Sequence, residues 1–117
     1  MLKLIDICTE YFELQAPIEF RIKTRSKKSC SAKYNAMLDC GNNLVSHRIT
    51  VYLGNLSNDT RTFDELIAHE FIHAYQQENN IDEIHGGDFP HVAQELAKFL
   101  HNMGFNVHQV YIPEIDV

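Results

Sequence analysis

Thr62-Phe63-Asp64-Glu65-Leu66-Ile67-Ala68-His69-Glu70-Phe71-Ile72-His73-Ala74-Tyr75 decides how the rest of the chain is read. Thr62 and Glu65 have the spacing of a capping box, in which a hydroxyl and a carboxylate each take an orphan amide of the first helical turn. A helix is therefore expected to start here and run to about Asn79-Asn80. Phe63, Ile67, Phe71 and Ala74 recur on one side of it, while Leu66, His69 and His73 form an adjoining stripe. Core and chemistry are thus expected to share one helix.

His69 and His73 stand four residues apart, about 40° apart in azimuth and about 6 Å apart along the axis, so both imidazoles can turn toward one ion. Glu70, beside the first histidine, then faces the ion's open side. Two nitrogen donors and a carboxylate able to deprotonate a metal-held water are the parts of a zinc hydrolase. Composition alone would produce a motif of this kind about 0.03 times in such a chain, so chance does not account for it. Zinc is favoured because neutral imidazoles suit it.

A catalytic zinc takes three protein ligands and keeps one position open. His85 is the expected third, because Gly86-Gly87 lets a loop fold back onto the helix with close, unusual backbone geometry. His91 and Glu95 compete for the role. They stand four apart on the next expected helix, and Glu95 lies at a distance resembling zinc peptidases whose third ligand is a glutamate. Asn79 occupies the position where a metzincin needs histidine. His47, His101 and His108 are expected as surface or satisfied, partly buried groups. Tyr75 and Tyr111 are expected in core or rim packing, with polarisation of a substrate carbonyl as the alternative role.

Outward from this helix, Leu4, Ile5, Cys8, Tyr11 and Phe12 recur at helical spacing, which predicts an amphipathic helix over residues 2–15, before Pro17. Ile18, Phe20 and Ile22 alternate with Glu19, Arg21 and Lys23, predicting a strand with an exposed basic stripe. Residues 32–39 predict a second strand with Tyr34, Ala36 and Leu38 on a buried face, followed by turn chemistry at Gly41-Asn42-Asn43. Arg48 to Leu53 gives the clearest strand, with Ile49, Val51 and Leu53 pointing one way, and Gly54 to Arg61 reads as a loop. After His85-Gly86-Gly87, a helix is expected from about Asp88, with Pro90 in its first turn and Val92, Leu96, Phe99, Leu100 and Met103 on its apolar face. Gly104 can end it. Residues 105–112 are expected to add a final strand.

At 117 residues and 44% hydrophobic content the chain is expected to fold as one domain, residues 1–117, with a core that needs no structural metal. No apolar run approaches the length that crosses a bilayer, and charge interrupts the N-terminal apolar stretch too early for a signal peptide. A cytoplasmic protein without membrane association is therefore expected. Cys8, Cys30 and Cys40 lack paired spacing and are expected as buried, inert thiols in a reducing compartment. A net charge of −6 argues against general nucleic-acid binding, although Arg21, Lys23, Arg25, Lys27, Lys28 and Lys33 form a basic segment that can meet an anionic partner.

The block His69 to Tyr75, followed by His85-Gly86-Gly87-Asp88-Phe89 and preceded by the strand Ile49 to Leu53, resembles the SprT-like, or Spartan-type, metallopeptidase domain. The likeness spans roughly residues 32–103, and the pairing of the two histidine blocks is its most specific part. It implies a compact α+β, zincin-like domain, with a small sheet packed on the helix that carries His69-Glu70-Phe71-Ile72-His73. It further implies Zn2+ held by His69, His73 and His85, with Glu70 as general base in the hydrolysis of protein or peptide substrates. The form expected here is minimal, without the zinc ribbon or DNA-binding extension of many relatives. A non-catalytic zinc-binding interaction module, and a DNA-associated protease acting on DNA-bound proteins, are the alternative expectations.

Overall fold

Helix α2 (Phe63–Glu78) begins as its capping box dictates. The Thr62 hydroxyl accepts from the Glu65 amide at 3.1 Å, and Glu65 Oε1 accepts from the Thr62 amide at 2.8 Å. Every residue from Glu65 to Ile72 is buried, so this helix is the centre of the fold rather than a surface element. The computed structural model describes residues 2–24 and 31–113 of the chain. They form an α+β arrangement of three α-helices and a three-stranded sheet.

Strands β1 (Ile18–Lys23), β2 (Ala32–Leu38) and β3 (Leu44–Tyr52) pair in the order β1-β3-β2, with β1 parallel and β2 antiparallel to β3. The central strand buries His47, Ile49 and Val51 fully, as the expected inward face requires, but Thr50 and Tyr52 are buried too, so the alternation does not persist to the end of the strand. It begins at Leu44 rather than Arg48, because the hairpin with β2 extends its pairing to Leu38. Leu53 does not join the inward set. It opens a 3-10 turn, Leu53–Asn58, where a plain loop was expected.

Asp39 organises the hairpin turn by accepting from the Gly41 and Asn43 amides at 2.9 and 3.0 Å, and Asn42, not Gly41, takes the left-handed conformation with φ 62°. Tyr34 and Ala36, expected on a buried face, are only half-buried, as are Asn35 and Met37, and Leu38 is 48% exposed where the register shifts between Met37 and Leu38 on entry to the turn. On β1, Arg21 is exposed, yet it pairs with Glu19 at 3.0 Å, as Arg48 of β3 does at 2.7 Å. The stripe is thus partly neutralised. Arg25, Lys27, Lys28 and Cys30 lie outside the described residues.

Helix α1 (Leu2–Tyr11) is shorter than the expected 2–15. Glu13 adopts φ 52° and the Leu14 amide bonds back to the Thr9 carbonyl at 3.0 Å, a Schellman-type end that turns Leu14 into the core. Helix α3 (Phe89–Asn102) starts after Asp88 with Pro90 in its first turn. Phe89, Ala93, Leu96, Ala97 and Leu100 are its buried residues, whereas Phe99 and Met103 are exposed. The apolar face is rotated from the expected one toward the small alanines, which let α3 approach closely. Gly104, at φ 96°, ends it, with the Phe105 amide on the Leu100 carbonyl at 3.1 Å.

The expected strand over 105–112 does not form. Its backbone bonds to side chains instead: Glu65 Oε2 accepts from the His108 and Gln109 amides at 2.6 and 2.7 Å. Val107 and Val110 point into the core, which joins Leu4 and Cys8 of α1, Ile49 and Val51 of β3, Leu66 and Phe71 of α2, and Leu96 and Leu100 of α3. Burial pushes the Cys8 thiol up to about 12, leaving it inert. Cys40 departs from expectation, since it is exposed beside the hairpin turn. Among the described residues no helix is long and apolar enough to cross a membrane.

Candidate metal centre

Helical spacing brings His69 and His73 together, with ring centroids 5.1 Å apart. The loop between α2 and α3 returns His85 to the same place, its ring 5.1 Å from that of His69 and 5.0 Å from that of His73. One ligand atom from each of the three lies within 4.8 Å of the others. Two nitrogens on a tetrahedral zinc stand about 3.4 Å apart, and Nε2 of His69 lies 3.2 Å from Nε2 of His85. The competitors stand elsewhere: His91 and Glu95 are exposed on α3 and face each other at 3.9 Å.

The nitrogens that face the cluster are fixed by what the opposite nitrogens do. The Val110 carbonyl can only accept, so His69 donates its Nδ1–H to it at 3.0 Å and turns a bare Nε2 inward. Gln76 sets His73 in the same way. Its Nε2 donates to the carbonyls of Glu83 and Ile84 at 2.8 and 3.2 Å, which leaves Oε1 to accept from His73 Nδ1–H at 2.9 Å. One buried amide therefore orients a ligand on α2 and ties down the loop that delivers His85. Gly87 completes this loop at φ 53°, a left-handed conformation that favours glycine.

Burial dominates the electrostatics. It pulls the His69 imidazole down to about 3, with His73 adding to the effect and the bond to Val110 opposing it, so the ring is neutral at any ordinary pH. The buried, neutral His69 imidazole and the half-buried rings of His73 and His85 together form a donor set suited to a transition metal. Glu70 is itself buried, 6% exposed, with Oε2 4.0 Å from His69 Nε2. The carboxylate sits beside the point on which the imidazoles converge.

Aromatic side chains wall the cluster. Phe89 is buried at the start of α3, with its ring 5.1, 5.2 and 5.0 Å from those of His69, His73 and His85. Tyr111, half-buried, stacks on His85 at 5.5 Å and 23°, a rim position of the kind expected for it. Tyr75 packs on Phe12 at 5.1 Å. Behind His73 the Tyr34 ring stands 6.3 Å away, and its hydroxyl donates to Nδ1 of a fully buried His47 at 2.7 Å. His47 Nε2–H in turn donates to Glu78 Oε2 at 2.6 Å. His101 and His108 are exposed, their rings 4.9 Å apart.

Of these features, Gln76 was open to sequence reasoning, because it stands three residues beyond His73 on the same helix. Val110 was not, because a main-chain carbonyl carries no residue signature. Comparison of the chain with protein families, with curated proteins and with solved structures gives no match.

Proposed function

We propose that the chain is a zinc-dependent endopeptidase of the SprT-like, zincin-like type, acting on protein or peptide substrates. The observation that carries this reading is the convergence of three imidazoles, two of them with Nδ1 committed to Val110 and Gln76, beside a buried Glu70 carboxylate. His69, His73 and His85 would hold the metal. Zinc bound there supplies a Lewis acid that lowers the pKa of water toward 7 and polarises the scissile carbonyl.

The chain's own groups do the rest. Glu70 takes the proton of the attacking water on its carboxylate and passes one to the leaving amine, the work of a general base that becomes a general acid. Phe89 backs the rings with apolar surface, which limits solvent and strengthens the electrostatics of the site. In the described sheet β2 is an edge strand packed on α2, so an extended substrate backbone can add to it. A non-catalytic zinc module gives Glu70 no chemical task, and the pairing of Arg21 and Arg48 with Glu19 weakens a DNA-directed reading.

The test is cleavage of unfolded proteins by the protein as purified, by the metal-stripped protein and by the protein reloaded with zinc. Activity is expected to vanish on stripping and return on reloading. Cleavage that survives complete metal removal, or a zinc-loaded protein that cuts nothing across a broad peptide library, contradicts the reading.

A further inference from the structure

A groove of about 600 Å³ opens between α3 and the segment 107–113, within the size range of ligand-binding clefts. Lys98 and His101 line it from α3 and His108 from the facing segment, with Gln94, Asn102 and Gln109 as amide neighbours. Among its described lining residues there is no aspartate or glutamate, although the chain holds 16 acidic side chains against 10 basic ones. The walls therefore offer N–H donors and the Lys98 ammonium in an otherwise acidic molecule.

This wall is also bolted to the metal centre. Glu65 holds the amides of His108 and Gln109, and the Val110 carbonyl, from a residue that lines the groove, accepts from His69. Tyr111 lines the groove as well and stacks on His85. The groove thus abuts the ligands along a wall held rigidly by hydrogen bonds, so a bound chain need not order it first.

We propose that this groove binds an extended peptide segment bearing acidic side chains, and that it selects the substrate of the peptidase proposed above. Carboxylates of the segment meet Lys98, His101 and His108, while its apolar side chains lie on the exposed rings of Pro90 and Pro113. The catalytic role rests on the peptidase reading, whereas the binding does not.

The test is fluorescence polarisation on the full chain carrying Glu70→Gln, with a labelled unstructured peptide of alternating acidic and apolar residues. Its counterpart with lysine for each acid and a single-stranded oligonucleotide of equal length serve as competitors. The acidic peptide is expected to bind at least about tenfold more tightly than the lysine peptide, and Lys98→Glu to weaken it about tenfold with no loss of bound zinc. Equal binding of both peptides, indifference to Lys98→Glu, or competition by the oligonucleotide as strong as by unlabelled acidic peptide overturns the proposal. Cleavage by the unmodified chain separates the two readings. Hydrolysis without preference for acidic substrates removes the groove's role and keeps the peptidase, whereas acid-selective binding with no hydrolysis keeps the groove and removes the peptidase.

Discussion

Gln76 orients His73 through Oε1 and anchors the His85 loop through Nε2. Its two functions can be separated by substitution. Gln76→Leu removes both and is expected to weaken zinc binding by about 10–100-fold, the usual effect of losing a group that orients a ligand. Gln76→Glu keeps an acceptor for His73 but loses the donor to Glu83 and Ile84, so it should retain more affinity while loosening the loop. Competition with a chromophoric chelator measures the first effect, and hydrogen exchange at Gly86 and Gly87 measures the second. Glu78 poses a different test at this scale. Burial alone would raise its carboxyl, but the amides of Ala16 and Gln15 and the His47 ring outweigh burial and hold it below its ordinary 4.5. A depressed folded pKa stabilises the fold above the unfolded value, and that contribution is lost as pH falls through the folded one. Glu78→Gln is therefore expected to cost about 1.5–3 kcal/mol at pH 7, and the gap from the unmodified chain should narrow below about pH 4. Urea unfolding across pH 3–7 reads it, and a gap that stays constant contradicts the assignment.

Helix α2 meets two demands with one carboxylate, since Glu65 closes the capping box and also holds the segment that positions Val110. Thr62→Ala removes the cap on the Glu65 amide and the hydroxyl's donation to the Asn106 carbonyl at 2.7 Å, and should cost about 1–2 kcal/mol. Glu65→Gln keeps one acceptor oxygen for several amides and should cost about 2–3 kcal/mol, with a fall in zinc affinity as the His69–Val110 bond loosens. Denaturant titration paired with zinc competition checks both, and equal effects of the two substitutions would show that the second role is absent. The same elements explain what the sequence made legible. Periodicity and local chemistry reveal α2, the Ile49–Val51 pair and the start of α3, because each is encoded within a few residues. The end of α1 escaped because Leu14 folds back to reach a distant core. The segment 105–112 escaped because its amides are satisfied by Glu65, more than forty positions away in sequence, and alternation alone cannot distinguish such a segment from a strand.

For the whole molecule, the candidate metal centre was legible to the extent that it is helical. His69, Glu70 and His73 follow from one turn of α2, while the choice of His85 over His91 and Glu95 depends on how the Gly86-Gly87 loop closes, which spacing leaves open. The fold places these side chains by burying most of α2 among the sheet, α1 and α3, so the site inherits the rigidity of the core. That placement separates a catalyst from a zinc-stabilised surface only through Glu70, whose carboxylate moves a proton in one case and does not in the other. Glu70→Gln preserves shape and leaves all three histidines in place. Measured against unfolded protein substrates at equal zinc occupancy, its cleavage rate is expected to fall by about 10²–10⁴-fold, the loss of a general base, with zinc content and unfolding midpoint close to those of the unmodified chain. A rate that does not change would contradict the central claim that this buried carboxylate moves the proton.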